Sequence, residues 1–340
     1  MRTTLSRSSW TRRSAGICLA WAALVLAGCG EGNKAAKGPG SGKADAAKSP
    51  LPLVGVSLLT LDNPFFRVIG DTVTSELGKA GYKVVVVSAD KDPARQSNQV
   101  QDFLQQGARA IILSPCEAKA VVPAIQEANK KAVPVFTVDI PCREDGVKIV
   151  SQVATDNLGG GREAAKGMIE ALGKAGGKVA ILHFKQAESC RLRVQGFREV
   201  IEAHNQANPA AKIDLVTELE GGAAKDVSFK ATEDALQAHP GLRGIFAIND
   251  PSALGCRAAL EKAGKSDGVI LVGFDGQPEG KKAIREGKIY ADPIQFPDRL
   301  GQEVAQAILR HSRGEEVKPE ILIPTKLYRQ ADAKDDPEAR

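Results

Sequence analysis

Short apolar runs alternate with amphipathic segments of helical period from residue 53 onward. The runs are rich in β-branched residues and apolar on both faces, as in YKVVVVSA at 82–89 and KVAILHF at 178–184. Such strands, separated by helices, are typical of a parallel sheet covered on both sides. The pattern predicts ten strands, at 53–59, 82–89, 110–114, 134–139, 149–157, 178–184, 212–219, 244–249, 269–275 and 289–295.

The amphipathic segments between these strands predict the helices. Their ranges are 64–79, 93–106, 118–130, 158–174, 189–206, 225–238, 252–263, 278–286 and 298–312. The alternation breaks near residue 149 and then restarts, with Asn157 as the expected N-cap of the next helix. The sequence therefore predicts two doubly wound α/β units in tandem, whose ligand site lies beyond the carboxyl ends of the strands.

The first 50 residues have a different pattern. Arginines at positions 2, 7, 12 and 13 precede an apolar run over 17–27, which predicts a signal peptide at 1–28. The segment LAGC at 26–29 resembles the bacterial lipobox, which implies cleavage before Cys29 and lipidation of its thiol. Residues 29–50 are rich in Gly, Ala, Lys and Pro and predict a flexible tether. We therefore expect a periplasmic or cell-surface protein anchored to the membrane through Cys29.

The net charge of the chain changes once this segment is set aside. The full chain has 46 basic and 41 acidic residues and a net charge of +5. Four of the basic residues and none of the acidic ones lie in 1–28, so the remainder carries +1. A nearly neutral body lacks the basic footprint of a nucleic-acid-binding protein, and we expect no nucleic-acid partner. The full chain has 43% hydrophobic and 26% charged residues, which is ordinary for a globular protein.

Polar and aromatic side chains follow many of the predicted strands. Carboxylates accept hydrogen bonds from sugar hydroxyls, Arg donates a planar fork, and amides do both. Phenyl rings cover the apolar faces of a sugar ring. A single Asp at a strand end is most often an N-cap or turn residue, but every member of this set lies at the same end of its own strand. The set therefore predicts a site for a polyhydroxylated ligand.

These segments resemble the ribose-type class of periplasmic sugar-binding proteins. The resemblance covers residues 53 to about 328 and rests on DNPFF (62–66), TVD (137–139), RVQGF (193–197), AINDPSALG (247–255), VGFDGQPEG (272–280) and DPIQFPDRLG (292–301). It implies two Rossmann-like lobes joined by a hinge of three crossovers. One lobe would comprise 51–153 with 296–323, the other 154–295 with 324–330, and 331–340 would be a disordered tail.

The same resemblance implies a ligand-contact set. The first lobe would supply Asn63, Phe65, Phe66 and Asp139. The second lobe would supply Arg193, Asn249, Phe274 and Asp275, and the hinge would supply Gln295. Three positions depart from the ribose pattern: Ile140 replaces an Arg, Leu59 replaces a polar residue, and an aromatic contact is missing near Gly222 or Ala223. We therefore expect a small sugar or sugar-like ligand without specifying ribose.

The sequence gives weaker support to nucleotide binding, glycoside hydrolysis or metal binding than to sugar binding. The run GGGREA at 159–164 matches a dinucleotide fingerprint, but no acidic residue ends the following strand. Asp139 and Asp275 resemble a glycosidase pair, although a binding protein needs the same carboxylates for hydroxyls. The four His residues have no metal-ligand spacing. We therefore expect no enzyme activity, no cofactor and no metal.

The body cysteines fall into two pairs, one in each predicted lobe. Cys116 and Cys142 follow neighbouring strands, and Cys190 and Cys256 lie at helix starts. Two disulfides, Cys116–Cys142 and Cys190–Cys256, fit an oxidising compartment. Four free thiols are the equal alternative.

The sequence thus predicts a monomeric, lipid-anchored binding protein that delivers a sugar to an ABC importer. The main alternative is a sensory protein whose closed form docks on a chemoreceptor or histidine kinase. A sugar-responsive transcription regulator would need a DNA-reading segment before residue 53, where this chain has a signal, a lipobox and a tether.

Overall fold

The computed structural model describes residues 51–340. The predicted signal peptide at 1–28, the lipidation of Cys29 and the tether at 29–50 lie outside the described residues. No helix within 51–340 is both long and apolar enough to cross a bilayer.

The first half of the described chain alternates strands and helices. Its elements are β1 (Leu53–Leu58), α1 (Pro64–Lys79), β2 (Lys83–Ser88), α2 (Pro93–Gln105), β3 (Ala110–Leu113), α3 (Ala118–Lys130), β4 (Val135–Val138) and β5 (Ser151–Thr155).

The second half repeats this alternation and ends with two more strands and a short helix. Its elements are α4 (Asn157–Leu172), β6 (Gly177–His183), α5 (Glu188–Ala207), β7 (Ile213–Glu220), α6 (Lys225–Ala238), β8 (Leu242–Ala247), α7 (Asp250–Lys262), β9 (Ile270–Val272), α8 (Pro278–Arg285), β10 (Ala291–Ile294), α9 (Pro297–Ser312), β11 (Glu320–Ile323), β12 (Lys326–Arg329) and α10 (Gln330–Ala333).

The strands form two six-stranded sheets of the same topology. The first has the order β2-β1-β3-β4-β5-β11 and the second the order β7-β6-β8-β9-β10-β12. All pairings are parallel except that of β10 with β12. The chain passes between the sheets three times: after β5, after β10 and between β11 and β12. The predicted fold class, two doubly wound lobes with three crossovers, is confirmed.

Apolar side chains on both faces of each sheet explain the unbroken apolar runs. In β3, Ile112 packs into one cluster, whereas Ile111 and Leu113 pack into another. In the second lobe, Ala180 and Leu182 of β6 belong to one cluster, and Val179 and Ile181 belong to the opposite one. Each lobe therefore has two cores with a sheet between them, because successive side chains of a strand point to opposite faces.

The structure shifts one lobe boundary. The predicted first lobe ends after residue 153, but Ala154 and Thr155 still pair with Leu322 and Ile323 of β11 in the first sheet. The first crossover therefore starts at Asp156. Strand β11 itself was not among the predicted strands.

Asn157 is not the N-cap of α4. Asp156 has that role, because its Oδ1 accepts a hydrogen bond from the Gly159 N–H at 2.8 Å. Asn157 is instead buried, and its Nδ2 donates to the Thr155 carbonyl at 3.1 Å.

The predicted disordered tail at 331–340 is also wrong. Ala333 and Ala339 are buried in the second lobe's core, at 0% and 1% exposure. The Tyr328 hydroxyl donates to Asp336 at 2.8 Å, and Lys281 pairs with the Asp336 carboxylate at 3.2 Å. The tail was predicted to be disordered because it is mostly polar. Its two buried alanines and the Asp336–Lys281 ion pair hold it against the second lobe.

Candidate functional site

Three of the predicted contact residues lie at the start of α1, directly after β1. Asn63 is the N-cap: its Oδ1 accepts from the Phe65 N–H at 3.0 Å, and Pro64 follows in the first turn, where its missing N–H costs nothing. The rings of Phe65 and Phe66 are 8% and 5% exposed and meet edge to face with centroids 5.3 Å apart. Both rings also pack into one core of the first lobe, so the cap fixes a largely buried aromatic pair directly after β1.

Asp139 follows β4 with a left-handed backbone, φ +66°. Its N–H donates to the Val153 carbonyl at 2.8 Å, which continues the sheet, while its carboxylate accepts no hydrogen bond from any residue of the described chain. Burial raises the pKa of Asp139 to about 7; Arg193 opposes this rise and Asp275 adds to it. The carboxylate thus lies within electrostatic reach of two second-lobe residues and is free for a ligand.

Arg193 lies in the first turns of α5 and is only 5% exposed. Its Nε donates to Asn157 Oδ1 at 2.8 Å, and one terminal nitrogen donates to the Ile248 carbonyl at 2.8 Å and to Asp275 Oδ1 at 2.9 Å. The guanidinium carbon is 3.8 Å from the centroid of the Phe274 ring. Hydrogen bonds in the plane and a ring beneath it hold the charged group in one orientation.

Asp275 is the hub of this network. Its Oδ1 accepts from Arg193 and, at 2.7 Å, from Gln295 Nε2. Burial raises its pKa, and the Arg193 charge and the Gln295 hydrogen bond oppose that rise. Gln295 Oε1 in turn accepts from the Thr155 hydroxyl at 2.6 Å. Thr155 ends β5 of the first lobe, so the network runs from one lobe to the other through two of the crossovers.

Asn249 has a structural role at the start of α7. Its Oδ1 accepts from the Ser252 N–H at 3.0 Å, and its Nδ2 donates to the Ala223 carbonyl at 3.2 Å. Gly222 and Ala223 have left-handed backbone, with φ +62° and +51°. This is the turn where the family resemblance implied a missing aromatic ring, and here Asn249 ties it to the strand end.

Close helix packing explains the run GGGREA. A Cβ on Gly161 would lie 2.0 Å from the Arg193 carbonyl oxygen, and a Cβ on Gly160 would lie 2.5 Å from the Phe274 ring. The glycines therefore let α4 approach α5 and Phe274. They serve helix packing at the site rather than a nucleotide phosphate.

The residues that sequence reasoning missed are Thr155, Asn157 and Gln277. All three bind other site residues: Thr155 binds Gln295, Asn157 binds Arg193, and Gln277 Nε2 lies 3.4 Å from Asp275 Oδ2. The only sequence signal was position, because Thr155 ends β5, Asn157 follows it by two residues and Gln277 follows β9. Their roles depend on side-chain directions that a strand pattern does not contain.

The four body cysteines are free thiols in the structure. Cys190 packs into one core of the second lobe, whereas Cys256 packs into the core on the opposite face of the same sheet. A disulfide needs Cα atoms within about 7 Å, so the Cys190–Cys256 pairing is wrong. Cys142 is buried with its thiol 3.5 Å from the Ala118 carbonyl oxygen, and Cys116 is a free thiol as well.

Within residues 51–340, no group of three or more His, Cys, Asp or Glu side chains is arranged to hold a metal ion. The site instead combines two carboxylates, one guanidinium, amides and phenyl rings. This donor and acceptor set suits a neutral ligand with several hydroxyl groups.

Comparison with known proteins gives consistent matches over the whole body of the chain. A family model described as a periplasmic binding protein domain matches residues 54–316. The chain is 34% identical over 278 residues to the ribose import binding protein of Bacillus subtilis, covering 82% of this chain and 87% of that protein. It is 31% identical over 296 residues to the D-apiose import binding protein of Paraburkholderia graminis, covering 86% and 91%.

A solved structure is similar in fold as well. It is an ABC transporter periplasmic solute binding protein from Actinobacillus succinogenes with bound D-allose. The TM-score is 0.75 at 25% sequence identity, and the match covers 84% of this chain and 100% of the other.

Proposed function

The chain belongs to the periplasmic binding protein family, and from this we propose that it binds a small sugar between its lobes and delivers it to an ABC importer. Members of the family are solute-binding components of transport and not enzymes. The observation that carries the proposal is the hydrogen-bonded chain Thr155–Gln295–Asp275–Arg193, which links both lobes beside the unpaired carboxylate of Asp139.

The mechanism we propose is closure on the ligand. Asp139 from the first lobe and Asp275 from the second accept hydrogen bonds from hydroxyls on the two sides of the sugar. Arg193 and Gln295 donate, and Phe65 and Phe66 cover an apolar face of the sugar ring. Phe274 is fully buried and supports Arg193 from beneath. A ligand that contacts both lobes raises the closed population in proportion to its preference for that state.

The ligand class follows from the relatives and from this site. Ribose, apiose and allose, which the similar proteins bind by name, are small neutral sugars. Ile140 and Leu59 make this pocket less polar than the ribose pattern. Since an unpaired buried polar group is costly, this difference supports selection among sugars. We therefore propose a monosaccharide or sugar-like polyol and no particular stereochemistry.

The remaining features of the proposal concern place and assembly. We propose that the signal peptide at 1–28 is removed, that Cys29 carries a lipid, and that 29–50 tethers a monomeric body in the periplasm or at the cell surface. The proposed lobes are 51–155 with 296–323 and 156–295 with 324–340. The proposed hinge consists of the three segments that join them.

A thermal-shift screen over pentoses, hexoses, polyols and nucleosides tests the proposal. A ligand that binds the folded state raises the melting temperature, by an amount that grows with its concentration above Kd. We expect a shift with at least one sugar or polyol. Asp275→Ala removes the hub and is expected to abolish that shift. No shift with any sugar or polyol contradicts the sugar assignment, and an unchanged shift in Asp275→Ala moves the site elsewhere.

A further inference from the structure

Two carboxyl groups are buried together beneath the site. Asp250 is the first residue of α7, directly after Asn249, and Asp292 lies in β10, three residues before Gln295. Their side chains are 1% and 0% exposed. A Cβ on Gly273 would lie 2.4 Å from Asp292 Oδ1 and 3.1 Å from Ala253 Cβ, so Asp292 lies beside the first turn of α7, which Asp250 begins. The Asp292 charge adds to the effect of burial in raising the pKa of Asp250.

The surrounding backbone is built for this close approach. A Cβ on Gly280 would lie 2.0 Å from Asp250 Oδ1, and a Cβ on Gly273 would lie 2.4 Å from Asp292 Oδ1. Two glycines thus form the slot that holds the acids. Within the described chain, Asp250 Oδ1 and both oxygens of Asp292 have no N–H or hydroxyl donor. The Gly273 N–H donates to the Ala291 carbonyl instead.

No cation compensates the pair. The cations of the elements packed around the pair are bound to other acids. In α8, Lys281 binds Asp336 and Glu338. In α7, Arg257 binds Glu261 and Lys262 binds Glu233, and in β12, Lys326 binds Asp332 and Arg329 binds Glu170. Lys282 and Arg285 of α8 are exposed. The one charged group that acts on both acids is another carboxylate, Asp275. Two neighbouring buried carboxylates without a donor or a cation do not both ionise, because burial and like charge penalise the second charge.

The pair is linked directly to the ligand-contact loop. Asp250 Oδ2 accepts a hydrogen bond from the Gln277 N–H at 2.6 Å. Gln277 Nε2 then reaches Asp275, which holds Arg193 and Gln295. Any movement of Asp250 is therefore transmitted over two residues to the hub of the site.

We propose that Asp250 and Asp292 share one proton at neutral pH, and that this protonated pair positions the Asp275–Gln277 loop for ligand binding. The positioning half of this inference rests on the proposed function, whereas the shared proton does not. The two acids are positioning residues, since neither takes part in the ligand-contact set. Loss of the proton at alkaline pH places two like charges side by side and loosens the loop.

Infrared spectroscopy of the ligand-free protein at pH 7.5 tests the shared proton by the difference between the wild-type and variant spectra. We expect a C=O stretching band of a protonated carboxylic acid in the wild-type spectrum. The isosteric double variant Asp250→Asn/Asp292→Asn should lose this band. The control variant Asp267→Asn, which neutralises an exposed aspartate of the same lobe, should keep it. Absence of the band from the wild-type spectrum overturns the proposal, and this measurement needs no variant to fold. A band that persists unchanged in the double variant overturns it as well.

Calorimetric titration tests the positioning role, with D-ribose, D-allose or myo-inositol as the probe, whichever gives the largest thermal shift. Asp250→Ala deletes the acceptor for the Gln277 N–H and is expected to weaken binding at least tenfold, whereas Asp250→Asn keeps an acceptor oxygen and is expected to bind within about threefold of wild type. Wild-type affinity should fall as the infrared band disappears with rising pH, and the double variant should show no such fall.

Two outcomes overturn the positioning role: equal affinity of Asp250→Ala and wild type, or the same loss of affinity at alkaline pH in the double variant. If none of the three sugars binds, the proposed function fails while the infrared result still decides the shared proton.

Discussion

The backbone of Asp139 has an energetically unfavourable conformation. Its φ of +66° lies in the left-handed region, which non-glycine residues rarely adopt. Such a conformation costs about 1–3 kcal/mol and persists where the surrounding structure enforces it. Here the hydrogen bond from the Asp139 N–H to the Val153 carbonyl holds the backbone in this conformation.

We predict that Asp139→Gly stabilises the ligand-free protein by about 1 kcal/mol or more and abolishes sugar binding, because it removes both the strain and a buried carboxylate. Ala132→Gly is the matched control, since Ala132 also has left-handed backbone, φ +55°, but lies after α3 and away from the site. It should stabilise the fold and leave binding unchanged. Urea unfolding and the thermal-shift assay measure the two effects. Retained binding in Asp139→Gly contradicts the role of this carboxylate.

The raised pKa of Asp139 predicts a pH dependence of stability. Its folded-state pKa of about 7 exceeds the unfolded value of about 3.9, so the folded state binds more protons between these values. The free energy of unfolding therefore falls as pH rises from about 4 to 7, and this group contributes a slope of up to about 1.4 kcal/mol per pH unit. Asp139→Asn should remove that share of the slope in urea unfolding of the ligand-free protein. An identical slope in both proteins would show that the carboxyl ionises normally.

At the scale of elements, the packing of α4 against α5 sets the position of Arg193. Gly161 and Gly196 lie at the contact: a Cβ on Gly161 would be 2.0 Å from the Arg193 carbonyl oxygen, and one on Gly196 would be 2.1 Å from the Leu158 carbonyl oxygen. Both obstacles are backbone atoms, so neither substitution is relieved by a side-chain rotation. The helices must separate, and Arg193 must move with α5.

We predict that Gly161→Ala destabilises the protein by about 1–3 kcal/mol, as overpacking does, and weakens sugar binding. Gly167→Ala in the same helix is the control. Its nearest neighbours would be 3.5 Å away, which is ordinary contact, and alanine has the better helix propensity. Gly167→Ala should therefore match or exceed wild-type stability. Differential scanning calorimetry distinguishes the two, and equal melting temperatures would contradict the packing role of Gly161.

Periodicity predicted the large elements because their apolar faces are continuous. The strands at 82–89 and 178–184 and the helices between them follow directly from the run lengths. Strand β11 escaped prediction because it is an edge strand of four residues with an exposed Leu322. The tail escaped because two alanines give no periodic signal. In the site, strand-end position identified Asp139 and Asp275, whereas the partners Thr155 and Gln277 depend on side-chain geometry.

At the scale of the whole molecule, Arg143 forms an ion pair between the two lobes. Arg143 lies in the first lobe, between β4 and β5, and its Nε is 3.2 Å from Glu188 Oε1 at the start of α5 in the second lobe. It also pairs with Glu320 of β11. The two carboxylates raise the pKa of Arg143 against the opposing effect of burial. The Arg143–Glu188 pair bridges the two lobes and lies outside the predicted ligand-contact set.

We predict that Arg143→Ala shifts the ligand-free protein toward the open state and weakens sugar affinity about two- to fivefold, since an exposed ion pair contributes about 0–1 kcal/mol. The radius of gyration from small-angle X-ray scattering should increase, more at low than at high salt. Arg313→Ala is the control, because Arg313 pairs with Glu315 inside one lobe. An unchanged radius and affinity in Arg143→Ala would show that the bridge does not bias closure.

The placement of the last two strands has a consequence for export. Strand β11 completes the first sheet and β12 completes the second, yet both lie within residues 320–329. Neither lobe is a continuous piece of chain, so neither can finish folding until almost the whole polypeptide has been synthesised. A chain that is to be threaded through a translocation channel must stay unfolded until it has passed. If this chain crosses a membrane through such a channel, as the predicted signal peptide at 1–28 implies, the late synthesis of β11 and β12 provides that delay.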